Sequence, residues 1–133
     1  MLRKIMQNNI ENFLLINFTG NDDCLAIKFN NSFFVKKIQN NAHNSDKLVN
    51  CIFDFLKANS IIIKKNFSII VNMGPGSFTA VRVAIAVAKG IQIAKDVKLF
   101  GYKSQQINEF NLENIELLIK SKNLENKLIK PVY

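Results

Sequence analysis

NMGPGSFTAVRVAIAVAKG, residues Asn72 to Gly90, decides how the whole chain is read. It begins where a near-continuous apolar run, Phe67 to Met73, is ending. Such a run suits a central strand covered on both faces. Gly74-Pro75-Gly76 breaks the run with a turn. A helix is expected to follow from about Ser77 to Lys95, with Ser77 and Thr79 as capping residues. Val97 to Gly101 then supplies another buried strand. Strand, helix and strand in this order make a β-α-β unit.

Working outward, the N-terminal side reads as three strands. Phe13 to Ile16 is a short apolar run that ends in the turn formers Asn17 to Asp22. Cys24 to Phe29 is a second strand and Ser32 to Ile38 a third. Asn30-Asn31 between them is a two-residue hairpin signal, because Asn tolerates positive φ. The three form an antiparallel meander. Asn44 to Asn59 reads as a helix, with Ser45 as N-cap and Asp46 in the first turn. Its residues Leu48, Ile52, Phe55 and Leu56 recur at helical spacing and face the sheet. Val49 and Phe53 form a second apolar pair beside that face. They read either as a wide core face or as a partner contact. On the C-terminal side, Asn111 to Lys122 reads as a short helix. Leu128 to Tyr133 is either a returning strand or a surface segment.

The expected fold class is therefore α/β, a mixed five-stranded sheet with an antiparallel meander followed by β-α-β. With 133 residues and 48% of them hydrophobic, residues 1–133 form a single domain with a real core. No apolar run approaches the roughly 18 to 20 residues of a membrane span. The start, MLRKIMQNNIENFLLINF, lacks a small-residue cleavage site and does not read as a signal peptide. Cys24 and Cys51 stand far apart without a CxxC spacing and are expected as buried free thiols of a cytoplasmic protein. The net charge is +8, yet sixteen of the eighteen basic residues are Lys and they are scattered along the chain. The pairs Lys36-Lys37 and Lys64-Lys65 fall at strand or loop edges. Direct contact with nucleic acid is accordingly expected to be weak or indirect.

A strand, a glycine turn and a helix N-terminus make a scaffold for an anion, with Gly74, Gly76, Ser77 and Thr79 as its residues. The details fit poorly. A Walker A loop needs Lys-Ser/Thr after its last glycine, and here Ser77-Phe78 follow Gly76. The dinucleotide fingerprint needs a small residue where Thr79 stands. Pro75 removes one N–H from the cradle. A nucleophile elbow would read G-x-S-x-G, and the chain gives Gly76-Ser77-Phe78. The single histidine, His43, lies in a polar loop, which argues against a His-dependent triad or a metalloprotease. No cofactor, metal or catalytic residue is assigned. A phosphate- or nucleotide-binding, ATPase-like domain using Gly74 to Thr79 stays as the alternative.

The helix after the turn is the sharper feature. Ala80, Ala84 and Ala88 repeat every four residues, and so do Ala86, Gly90 and Ala94. Val81, Val83, Ile85, Val87, Ile91 and Ile93 put apolar groups nearly all round it. A helix apolar on most sides is buried on most sides. One face meets the sheet, and a chain this short has little left to cover the other. An exposed patch of that kind marks a protein–protein site. Arg82 and Lys89, seven residues apart, rim it.

Gly74-Pro75-Gly76-Ser77-Phe78-Thr79, then Val81-Arg82 and Ala88-Lys89-Gly90, resembles the signature of the bacterial TsaB (YeaZ) family. Asn17-Phe18-Thr19 after the first strand and the spacing to Leu99-Phe100-Gly101 match as well. The resemblance implies an actin/Hsp70-like, ribonuclease H-like lobe over residues 11–104, with 105–133 as a residual C-terminal segment and most of the second lobe absent. Lys130-Pro131-Val132-Tyr133 resembles the closing segment of the family. The function implied is that of a non-catalytic scaffold, despite a frequent glycoprotease label. Such a subunit binds a TsaD-like catalytic subunit, joined by a TsaE-like ATPase, in making threonylcarbamoyladenosine on tRNA. The same helix is implied in homodimers. Mapped onto this chain, the contact residues are Val49, Phe53, Ala80, Arg82, Val83, Ala86, Val87 and Lys89. The chain departs from the family in three respects: Asn17 stands where Asp is usual, Ala80 where Gly is usual, and nearly the whole second lobe is expected to be missing.

Overall fold

The computed structural model describes residues 10–39 and 47–133. One mixed sheet of five strands has the order β3-β2-β1-β4-β5. β1 (Asn12–Asn17), β2 (Cys24–Phe29) and β3 (Ser32–Lys37) make the expected antiparallel meander. The turn from β2 to β3 places Asn30 and Asn31 at φ 49° and 68°. That is the positive-φ, two-residue turn whose twist matches the strands it joins. β4 (Phe67–Asn72) lies parallel to β1, and β5 (Lys98–Tyr102) lies parallel to β4.

Side-chain alternation along β1 and β4 sorts the core into two layers. Leu14, Ile16, Ile69 and Val71 face a layer shared with α1 (Leu48–Ala58) and α2 (Phe78–Lys95). Phe13, Leu15 and Ile70 face a second layer under α3 (Leu112–Lys120). β4 is buried at all six positions, as its apolar composition requires. In α1 the buried residues are Leu48, Ile52, Phe55 and Leu56, the four that helical spacing selects. The expected N-cap Ser45 and first-turn Asp46 lie outside the described residues, as does His43; Lys47 precedes the helix and offers no side-chain cap.

α2 starts on Ser77, whose Oγ accepts the Ala80 N–H at 3.4 Å, and stops on Asp96 in the left-handed region. α3 starts on Asn111, whose side chain accepts the Asn114 N–H at 2.8 Å. It is shorter than expected at both ends. Beyond it, no regular strand forms. Glu125 exchanges two backbone hydrogen bonds with Gly101, and Val132 N–H donates to Met73 O at 2.8 Å. Ile129 is buried beneath this segment, so the C-terminal stretch is packed rather than merely lying on the surface. Cys24 and Cys51 are both free thiols. Only Cys24 is fully buried; Cys51 is half-buried on α1, a correction to the expectation for that residue.

Candidate functional site

The glycine loop is clamped between three parts of the chain. Gly74 has φ 99°, a conformation that L side chains rarely adopt. Its N–H donates to Asn72 Oδ1 at 2.7 Å, and a Cβ there would come within 2.9 Å of Val132 O. Gly76 lies flat on the β1–β2 turn, where a Cβ would sit 2.6 Å from Thr19 Cβ. Ser77 N–H donates to Thr19 O at 2.8 Å. From the end of β5, Ser104 donates its N–H to Gly74 O and its hydroxyl to Pro75 O. Both glycines are therefore sites of close backbone approach, which explains why the turn needs them.

Beneath the loop lies a polar cluster at the C-terminal ends of β1, β4 and β5. Asn17 Oδ1 accepts from Asn72 Nδ2 at 2.7 Å and from the Tyr102 hydroxyl at 3.1 Å. Asn17 Nδ2 donates to Asp22 O. The amide at position 17 thus donates on one side while accepting twice on the other, which a carboxylate cannot do. Asp23 is buried, and its carboxylate accepts from the N–H groups of Thr19 and Gly20 at 2.8 and 3.0 Å. Burial nevertheless lifts its pKa above the ordinary 3.8, outweighing those bonds, which pull it down. Burial also pushes the Cys24 thiol up to about 12 and raises the Tyr102 phenol. Neither group is poised as a nucleophile or base at neutral pH.

Among the four residues of the anion scaffold, the Gly74 and Ser77 amides are already bonded within the chain, and so is the Ala80 amide one turn on. The adjoining N–H groups of Thr19 and Gly20 point at Asp23. Among the described residues, no three His, Cys, Asp or Glu side chains gather where they could hold a metal. No helix there is long and apolar enough to cross a membrane.

The predicted contact residues are spread over two exposed helix faces. Val49 and Phe53 stand out from α1, with Phe53 63% exposed. On α2, Arg82, Ala86 and Lys89 are exposed and Val83 and Val87 half-buried. Ala80 points inward and belongs to the core against the sheet. The two small-residue rows thus part company. Ala80, Ala84 and Ala88 are buried, whereas Ala86, Gly90 and Ala94 are exposed. A Cβ built on Gly90 meets no atom within 4 Å. Between α1, the loop after it and the C-terminal half of α2 runs a groove of about 970 Å³, lined by Val49, Phe53, Ile62, Val87, Ile91 and Ala94. Sequence reasoning missed Ile62, which is 67% exposed between buried Ile61 and Ile63. The alternating burial of that short stretch is invisible in three identical letters. It also missed the Asn17–Asn72–Tyr102 cluster and the pairing of Arg82 with Tyr133, both of which join distant parts of the chain.

Comparison with known proteins agrees with this architecture. Residues 36–113, more than half of the chain, match the family model of TsaD, tRNA N6-adenosine threonylcarbamoyltransferase. The matched stretch runs from the end of β3 into α3 and holds the groove and the glycine loop. Among solved structures, YeaZ from Pseudomonas aeruginosa is similar with a TM-score of 0.63 at 20% identity, covering 70% of this chain and 44% of its own. A second structure, an uncharacterized protein with similarity to peptidase YEAZ from Pseudomonas aeruginosa, gives the same score and identity and is covered over 43% of its length. The chain therefore spans less than half the length of these YeaZ structures. The likeness establishes the fold, a single actin-like, ribonuclease H-like lobe. A search of the curated proteins finds no significant match.

Proposed function

The chain belongs to the TsaD family, that of tRNA N6-adenosine threonylcarbamoyltransferase, and on that premise we propose that it is a non-catalytic partner subunit of a tRNA-modifying assembly. In this reading it binds a TsaD-like catalytic subunit across α1 and α2, and a TsaE-like ATPase joins the pair. The product of the assembly is threonylcarbamoyladenosine. A second copy of the chain competes for the same face when the catalytic subunit is absent.

The observation that carries the reading is the uncovered apolar groove. Phe53 and Ile62 stand in solvent beside it, and the backbone at Gly90 is open to close approach. Apolar surface gathered in one concave patch favours a protein partner, since burying it there gains about 25 cal/mol per Å² before the costs of association. Asp54, Lys57 and Lys95 around it provide the polar rim such interfaces carry. The contact set is Val49, Phe53, Val83, Ala86, Val87 and Lys89, extended by Ile62, Gly90 and Ala94; Arg82, which the resemblance also points to, is turned to Phe78 and Tyr133 and is left out of it. The buried thiol and phenol and the internally bonded Gly74 and Ser77 amides support a reading without a catalytic role.

Light scattering after gel filtration tests this. The chain mixed with the TsaD-like protein of the same source is expected to run as a one-to-one complex. Gly90→Glu and Phe53→Asp, both on open surface, should weaken pairing by about 30-fold or more, the loss typical of a hot-spot position. Separate monomers in the wild-type mixture would overturn the proposal.

A further inference from the structure

At the first turn of α2, away from the groove, three side chains from the two ends of the fold meet in solvent. Phe78 is 63% exposed and Tyr133 77% exposed, yet their rings are stacked with centroids 6.2 Å apart and planes 25° apart. The Arg82 guanidinium lies 4.1 Å from the Phe78 ring centroid and 5.6 Å from that of Tyr133, and it donates to the Tyr133 hydroxyl. Large aromatic rings held in order by one another and by a flat cation, with most of their surface open to water, are not explained by the core, which they do not enter.

The surroundings fix the kind of ligand. Three segments converge on the glycine loop: the loop with α2, the strand β5 with the turn after it, and the C-terminal stretch. The parts of these segments next to the loop, residues 73–82, 101–106 and 129–133, contain no Asp or Glu, and they contribute Arg82, Lys103 and Lys130. The fourth neighbour, the β1–β2 turn, has an exposed Asp22, while the Asp23 carboxylate is buried on its own backbone. Three cations far apart in sequence, Arg82, Lys103 and Lys130, are thus brought by folding to the side of one exposed aromatic pair. Aromatic faces plus cations without acidic residues suit a polyanion that carries flat rings of its own.

We propose that Phe78, Arg82 and Tyr133 form a stacking platform for an unpaired nucleobase of RNA, with the surrounding lysines holding the phosphates. The choice of RNA as the polyanion rests on the tRNA-modifying role argued above; the platform itself does not. It gives this chain a direct hold on RNA, where sequence alone leads one to expect weak or indirect contact.

Fluorescence anisotropy with the full chain tests the platform, using a labelled RNA hairpin with an unpaired loop and a fully paired duplex of equal length. The hairpin should bind with a dissociation constant on the order of 1 to 100 μM, falling off steeply with salt. Phe78→Ala/Tyr133→Ala should lose roughly 5- to 100-fold for the hairpin, the cost of one lost base stack, and much less for the duplex. Arg82→Lys should lose part of that despite keeping its charge. Lys36→Ala/Lys37→Ala, at the exposed far edge of the sheet, should lose no more than its share of charge and bind hairpin and duplex alike. Equal losses on hairpin and duplex in the aromatic variant would overturn the platform, and so would no hairpin binding at low salt. Intact hairpin binding with loss of the TsaD-like partner would also overturn it and assign the patch to protein. The two proposals fail separately: Gly90→Glu should leave hairpin binding unchanged, and the aromatic variant should leave pairing unchanged.

Discussion

Asn17 shows how much one atom type decides. Its amide joins three strand ends because it donates and accepts at once. Next to it, Asp23 turns the N–H groups of Thr19 and Gly20 inward, so the turn that carries them is closed on its own carboxylate. Because burial raises the Asp23 pKa in the folded chain above 3.8, the native state holds its proton more tightly than the unfolded state does. Its contribution to stability is therefore fully present below pH 3.8 and declines as pH rises through the window just above that value. Urea titrations across mildly acidic pH should show this slope in the wild type and a flatter profile in Asp23→Asn. Cys24, with a thiol pushed up to about 12, should resist alkylation in the native protein at pH 8. Cys51, half-buried on α1, should label first, and Cys24 only on unfolding, as peptide mapping after a timed quench would report.

Among the elements, α2 shows why a small side chain in a sequence has no single meaning. Ala84 is wholly buried and Gly90 wholly open, six residues apart on one helix. Ala84→Glu forces a carboxylate into the layer between α2 and the sheet, and should cost more than about 4 kcal/mol. Gly90→Glu replaces the poorest ordinary helix former on a free surface, and should stabilise the isolated chain by about 0.5 kcal/mol. Denaturant melts of the two variants decide this. A Gly90→Glu chain that is more stable yet pairs less well would show that the glycine serves contact rather than folding. α1 behaves as its pattern requires, with Leu48, Ile52, Phe55 and Leu56 inward and Val49 and Phe53 outward. Helical periodicity reports which residues share a face, but it leaves open whether the outward pair is covered by this chain or by another. The groove beside them answers for this chain only.

For the whole molecule, the lobe stands with two of its glycine-loop amides, Gly74 and Ser77, spent on internal acceptors. Calorimetry of the chain with ATP or ADP should accordingly give no saturable heat at about 100 μM protein, a concentration that detects binding in the micromolar range. Clear saturation would return the Gly74–Thr79 loop to a ligand role. The five strands, the antiparallel meander, the β-α-β unit, the Asn30-Asn31 hairpin and the Ser77 cap were all readable in the sequence, since each rests on local periodicity or on the backbone preference of one or two residues. Tertiary structure alone decided the rest. It set Gly76 against Thr19, closed Asn72 and Tyr102 on Asn17 across 55 and 85 residues, and brought Arg82 to Tyr133 across 51. It also chose which row of small residues meets the sheet and brought the segments of Lys103 and Lys130 to one aromatic pair. Spacing along a chain encodes faces, whereas contacts between distant segments depend on how those faces dock, and docking is fixed by the packing of the folded chain as a whole.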